Sequence, residues 1–129
     1  MTADIRSFLQ EIKKTNDLIK VKKKVSIKYE IAALTAKLDE SKAALFENIK
    51  GSKFKLVSNL VGSRDRFAQA IGSKKSGINQ KIVRAISSAK KPKISATAKF
   101  FENSSKNIST LPIVTHFQNE SGPFITSSI

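Results

Sequence analysis

The hydrophobic period of this chain changes from helical to strand-like and back, and that alternation narrows the accessible folds more than any single residue. Ile5, Phe8, Leu9 and Ile12 fall at i, i+3, i+4 and i+7, one face of a helix, with Asp4 expected in its first turn, where the helix dipole favours an anion. Thr15-Asn16-Asp17 breaks that pattern. Ile19, Val21 and Val25 then alternate with Lys20, Lys22 and Lys24, which reads as a strand with one wet face, and Lys23 on the apolar side marks an edge. The helical period returns with Ile27, Ile31, Leu34 and Leu38, for which Ser26 is the expected cap.

Ala44-Leu45-Phe46-Glu47-Asn48-Ile49 and Phe54-Lys55-Leu56-Val57, joined by a Lys50-Gly51-Ser52 turn, read as two further strands. Ser63 caps an expected helix from Arg64 to Ile71 that Gly72 stops, and Ile78, Ile82, Val83 and Ile86 give another. Ser87 to Lys93, small, basic and interrupted by Pro92, reads as the start of a linker; Phe100-Phe101 is the strong apolar pair of the ambiguous stretch after it. The order implies a small α/β or α+β layer domain with a mixed sheet and about four helices. It divides into a body over residues 1–90, a linker over 91–110 and a separate run over 111–129.

With 129 residues, 40% hydrophobic content and eight Phe, the chain can bury a modest core. It has no cysteine, which removes disulfides, thiolate catalysis and thiolate-bound metals from consideration. Met1 to Lys14 lacks the apolar core of a signal peptide and no stretch approaches a membrane span, so no membrane partner is expected and the expected compartment is the cytoplasm. The net charge of +14 invites a nucleic-acid reading. Yet all 24 Lys and Arg lie in residues 1–106 beside nine of the ten acids, and no aromatic residue interleaves with Lys20 to Lys24. A stacking platform for single strands is absent, so nucleic acid is not the expected partner.

The final stretch has a different character. Leu111-Pro112-Ile113-Val114-Thr115-His116-Phe117, a turn at Gly122-Pro123 and Phe124 to Ile129 keep β-branched and aromatic residues to the last position, as strands without a visible partner would. The expectation is that these strands begin a further, missing domain, and that the C-terminal strand pairs with it or with another copy of the chain.

Three segments together resemble the amino-terminal region of the UbiD family, decarboxylases that use prenylated flavin mononucleotide. Leu45-Phe46-Glu47-Asn48-Ile49-Lys50-Gly51 is similar to that family's LLFENVKG. Val57-Ser58-Asn59-Leu60-Val61-Gly62-Ser63-Arg64-Asp65-Arg66, continuing to Ala70-Ile71-Gly72, resembles its NLFGSRER run ending in ALG. Leu111 to Phe117 with Ser121 to Thr126 resembles LPIxTHxPxDGGPYITxG, although Ser121 and Ser128 stand where the family has Gly. The opening, Ile5-Arg6-Ser7-Phe8-Leu9 with Leu18 to Val21 and Tyr29 to Ala32, is also similar to the family's start.

The resemblance implies reversible, non-oxidative decarboxylation of an aromatic or α,β-unsaturated acid by a family whose members are several times longer. Prenylated FMN and a divalent metal serve the full-length enzymes, but their ligands and proton-transfer groups follow the ITxG strand, so no catalytic or metal residue is assigned here. This chain is expected to be inactive alone, bind neither group and orient a missing catalytic domain or split partner chain. Thr126 is the one position carried over as near the flavin, because its strand enters the flavin-binding split barrel. The alternative is a stand-alone basic binding module that kept the fold without the chemistry.

The remaining candidates come from the residues themselves. His116, the single histidine, reads as structural, because a lone imidazole makes a poor metal site. Glu47 in an apolar run is expected in an ion pair with a basic side chain. Ser63 and Arg64, at a helix start, are an anion-binding candidate, with an ordinary cap the favoured reading.

Overall fold

The computed structural model describes residues 4–39, 41–92, 94–97, 102–120 and 125. Helix α1 (Ile5–Lys14) leads through the break at Asn16 into β1 (Leu18–Val21), α2 (Glu30–Lys37), β2 (Ala43–Phe46) and β3 (Leu56–Ser58). Helices α3 (Arg64–Ala70) and α4 (Ile78–Ser87) follow, with short 3-10 turns at Lys75–Gly77 and Ile108–Thr110. The sheet is mixed, in the order β1-β2-β3: β1 runs parallel to β2, and β2 antiparallel to β3. A parallel pair needs a crossover, which α2 supplies, whereas a turn suffices between β2 and β3. The layer architecture and the edge position of β1 are those expected from the sequence.

Alternation along β2 divides the core between two faces. Ala43 packs with Phe8 and Ile12 of α1, joined by Leu60 and Ala70, while Ala44 and Phe46 pack with Val25, Ile31 and Ile49 beneath α2. Phe46, Ile12, Ile31 and Val25 are the largest fully buried side chains. Burial of each contributes about 1.5–3 kcal/mol. β2 is central because it can be small and apolar on both faces; β1, with Lys20 exposed, cannot.

Four local expectations are corrected. Asp4 lies one residue before the first turn of α1, as its N-cap, accepting from Ser7 N at 2.8 Å while the Ser7 side chain accepts from Asp4 N at 3.2 Å. Ser26 does not cap α2; its Oγ accepts from Lys28 N, and the helix begins at Glu30. The delay arises because the preceding residues are tied elsewhere: Thr115 N donates to Ile27 O and Tyr29 N donates to Thr115 O, both at 3.0 Å, which holds Tyr29 at φ 67°.

The long first strand ends at Val21, and Val25 rejoins the sheet through a single parallel bridge to Ile49. Val21 faces Phe46, so four steps on one side answer three on the other, and the extra residue is looped out within Lys22–Lys24. That slip leaves Lys23 exposed instead of facing the core. β3 starts at Leu56 and not Phe54, because Ser52 bridges back to Ile49 and its Oγ accepts from Phe54 N, leaving Phe54 half exposed.

The run after Leu111 also differs from expectation. Among the described residues it forms no strand; Thr115 makes one parallel bridge to Lys28, and Val114 packs on the cluster beneath α2. Pro112 withholds one ladder donor, and Ile113 N turns back to Leu111 O. The expected strand from Phe124 to Ile129, including Thr126, and the pair Phe100-Phe101 lie outside the described residues apart from Ile125.

Candidate functional site

The densest polar constellation lies where α3 meets the turns before it. Asn59, at φ 55°, donates through Nδ2 to the carbonyls of Leu38 at 2.9 Å and Lys42 at 3.0 Å. Gly62 has no side chain because the Asn59 amide fills that space: a Cβ there would sit 1.6 Å from Asn59 Oδ1. Ser63 then caps α3, its Oγ accepting from Arg66 N. One turn along, Arg66 is 2% exposed and donates to Ser41 O at 2.8 Å and to Asn59 O and Leu60 O at 3.2 Å each. A guanidinium suits this place because its planar fork reaches several carbonyls at once.

These contacts explain the Asn59-Leu60-Val61-Gly62-Ser63-Arg64-Asp65-Arg66 run as a clasp that ties the α2–β2 turn to the β3–α3 turn. Arg66 is the buried cation of the clasp, and the candidate Arg64 is exposed. Ser63 has an ordinary capping geometry, and α3 spans only seven residues, so no anion site is assigned to this helix start. Sequence reasoning missed Asn59 and Arg66. The available signal was the i+3 spacing from the Ser63 cap, which puts Arg66 on the inward side beside Phe67 and Ala70.

A shallow groove of about 380 Å³ opens between α2, β3 and the 111–114 run, lined by Ile31, Thr35, Leu56, Val57, Pro112 and Val114 among others. Thr35 Oγ1 donates to Ser58 Oγ at 2.8 Å along its floor. His116 and Ile125 also contribute, and among the described residues no Lys, Arg, Asp or Glu lines it. A flavin phosphate calls for cations, and among the described residues this lining offers no Lys or Arg. Among the described residues no group of three or more His, Cys, Asp or Glu could hold a metal. Among the described residues the groove thus offers no cation to a flavin phosphate and no cluster of metal ligands.

Glu47 stands 3.9 Å from Lys20 Nζ and 4.0 Å from Lys55 Nζ, the expected pairing with basic side chains. It links Lys20 of β1 to Lys55, the residue before β3, at the end of β2, in reach of solvent and so of modest strength. His116 is half exposed; its backbone N donates to Glu120 Oε2 at 2.7 Å, and its Nδ1 lies 3.7 Å from Glu120 Oε1. These contacts secure a turn, and none of these groups has the companions for proton transfer. No helix among the described residues is long and apolar enough to cross a membrane.

Comparison with known proteins places this geometry. Residues 9–86 match the model of the 3-octaprenyl-4-hydroxybenzoate carboxy-lyase N-terminal domain. The chain is 30% identical over 126 residues to the anhydromevalonate phosphate decarboxylase of Methanosarcina mazei, covering 96% of this chain and 29% of that protein. The UbiD-class enzyme HmfF from Pelotomaculum thermopropionicum, solved in complex with FMN, superimposes with a TM-score of 0.82 at 29% identity, over 92% of this chain and 28% of HmfF. An evolved dimeric form of HmfF with prenylated FMN gives 0.79 at 26% identity, over 95% and 30% respectively. The chain thus spans less than a third of the length of each of these relatives.

Proposed function

This chain belongs to the UbiD family of carboxy-lyases, as its N-terminal domain, and from that premise we propose that it serves as the amino-terminal portion of a decarboxylase acting on an aromatic or α,β-unsaturated carboxylic acid. The reaction breaks the bond between carbon and carboxylate, releases CO2 and puts a proton on the carbon left behind, reversibly and without net oxidation. The flavin, the metal and the proton-transfer groups belong to other parts of the enzyme, in the same polypeptide or a partner chain. Residues 1–90 form the body, 91–110 the connection, and 111–129 the approach to the flavin-binding portion, with Thr126 near the cofactor.

The observation that carries this reading is the superposition of 92% of the chain on HmfF, a flavin-bound relative of more than three times the matched length. A groove with no Lys or Arg among its described lining residues and the single histidine support a role in scaffolding rather than chemistry. Grafting tests it: this chain replaces the matching stretch of the Methanosarcina mazei decarboxylase. The graft should retain prenylated FMN and decarboxylate anhydromevalonate phosphate, while the isolated chain does neither. A flavin-free, inactive graft, or tight flavin binding by the isolated chain, would overturn the reading.

A further inference from the structure

Helix α4 leaves part of its apolar stripe uncovered. Ile78 at its start is 4% exposed, but exposure rises along the same helix to 39% at Ile82, 60% at Val83 and 73% at Ile86. Its position within the matched family domain makes the stripe part of the domain rather than an appendage. Lys74, Lys81 and Arg84 line a groove along α4, and Lys90 and Lys91 follow its end. No acidic residue occurs between Asp65 and Glu102. An apolar strip flanked by cations of one sign selects an occupant with an apolar centre and an acidic rim.

Resting on the reading above, we propose that the outer face of α4 docks an acidic, apolar-centred surface on the flavin-bearing portion of the same enzyme. The relatives carry more than two thirds of their length beyond what this chain covers, which supplies that surface in the assembled protein. A second copy of this domain is disfavoured, because its own cations would meet these across the contact. A lipid surface is disfavoured too: three short aliphatic side chains on one short helix offer little to insert. Docking through α4 would leave the Thr115 bridge to Lys28 intact, so the 111–117 run can lead toward the flavin while the helix fixes the orientation of the body.

The test places photoreactive benzoylphenylalanine at Val83 in the graft described above. Irradiation should give a crosslink within one polypeptide, mapped by mass spectrometry to an Asp- or Glu-bearing peptide outside this chain. Arg84→Glu with Lys90→Glu should reduce its yield about fivefold at low salt, as should high salt with the unaltered charges. The isolated chain carrying Val83→Glu should melt with the parent chain, which separates docking from folding. A crosslink between two copies, flotation of the isolated chain on phosphatidylglycerol vesicles that Val83→Glu abolishes, or no crosslink at all would each overturn the docking surface. Flavin content and turnover of the same graft distinguish the two failures: an active graft without the crosslink removes the docking face alone, whereas an inactive, flavin-free graft removes the reading beneath it.

Discussion

Arg66 donates to the carbonyl of Asn59 at 3.2 Å while the Asn59 side chain holds the carbonyls of Leu38 and Lys42, so one residue pair binds the α2–β2 and β3–α3 turns together. A buried guanidinium is costly to strand but stabilising when every arm finds an acceptor.

Arg66→Met should therefore destabilise the fold by about 2–4 kcal/mol, because it leaves three turn carbonyls without their donor. Arg66→Lys should recover only part of the loss, since an ammonium lacks the planar fork. Urea unfolding of the three proteins checks both statements; a lysine variant as stable as the parent would refute the role given to the fork.

Gly62→Ala should cost about 1–3 kcal/mol, since its Cβ would displace the Asn59 amide and both of its hydrogen bonds. With Asn59→Ala as background the same substitution should cost far less. A double-mutant cycle measures that coupling, and additivity within error would show that the contact does not decide the choice of glycine.

The core and α4 should respond in opposite ways to truncation. Phe46→Ala, at a fully buried site, should lose about 3–5 kcal/mol, whereas Ile86→Ala should stay within about 0.5 kcal/mol in the isolated chain. Thermal melts distinguish the two; a large loss at Ile86 would mean that its exposed face is already partnered.

Asp4 carries a pH dependence of defined sign. Hydrogen bonds from the backbone and side chain of Ser7 hold its carboxyl below the ordinary value of 3.8. A carboxylate depressed on folding stabilises above its unfolded pKa, and that stabilisation disappears as pH falls through the lower, folded value. Helix α1 should thus fray as pH drops below 3.8, and Asp4→Asn should flatten that dependence. NMR titration of the Asp4 carboxyl resonance reads the shift directly; Ser7→Ala, which keeps the backbone bond and removes the hydroxyl, should raise the midpoint only part of the way, and an unchanged midpoint would refute the side-chain contribution.

Thr115→Pro should detach the 111–117 run, since proline removes the N–H that reaches Ile27 O. Hydrogen exchange at Tyr29 N should then accelerate along with the run itself. If Tyr29 stays protected, its partner is not Thr115.

The helices were legible because period and punctuation agree in them: Ser63 and Gly72 bracket α3, and Thr15-Asn16-Asp17 ends α1. The sheet was legible in content and less so in register. Lysines at Lys22–Lys24 continue a strand pattern equally well whether or not a residue is looped out, and only the partner strand decides. Ser26 was misplaced as a cap because the contact that delays α2 comes from Thr115, far along the chain and invisible to local rules. Arg66 was hidden among 24 cations, since sequence alone does not tell a buried guanidinium from a solvated one. The family motifs pointed to this region but not to which of its two arginines is buried.

Among the described residues, all ladder pairing of the sheet lies between Leu18 and Ser58. A chain emerging from the ribosome can therefore close its strands before the segments after Ser58 have emerged, at about 5–20 residues per second. Arg66 arrives only a few residues later to fasten what has formed. The nascent domain can thus hide the apolar faces of β2 early, before later segments compete for them.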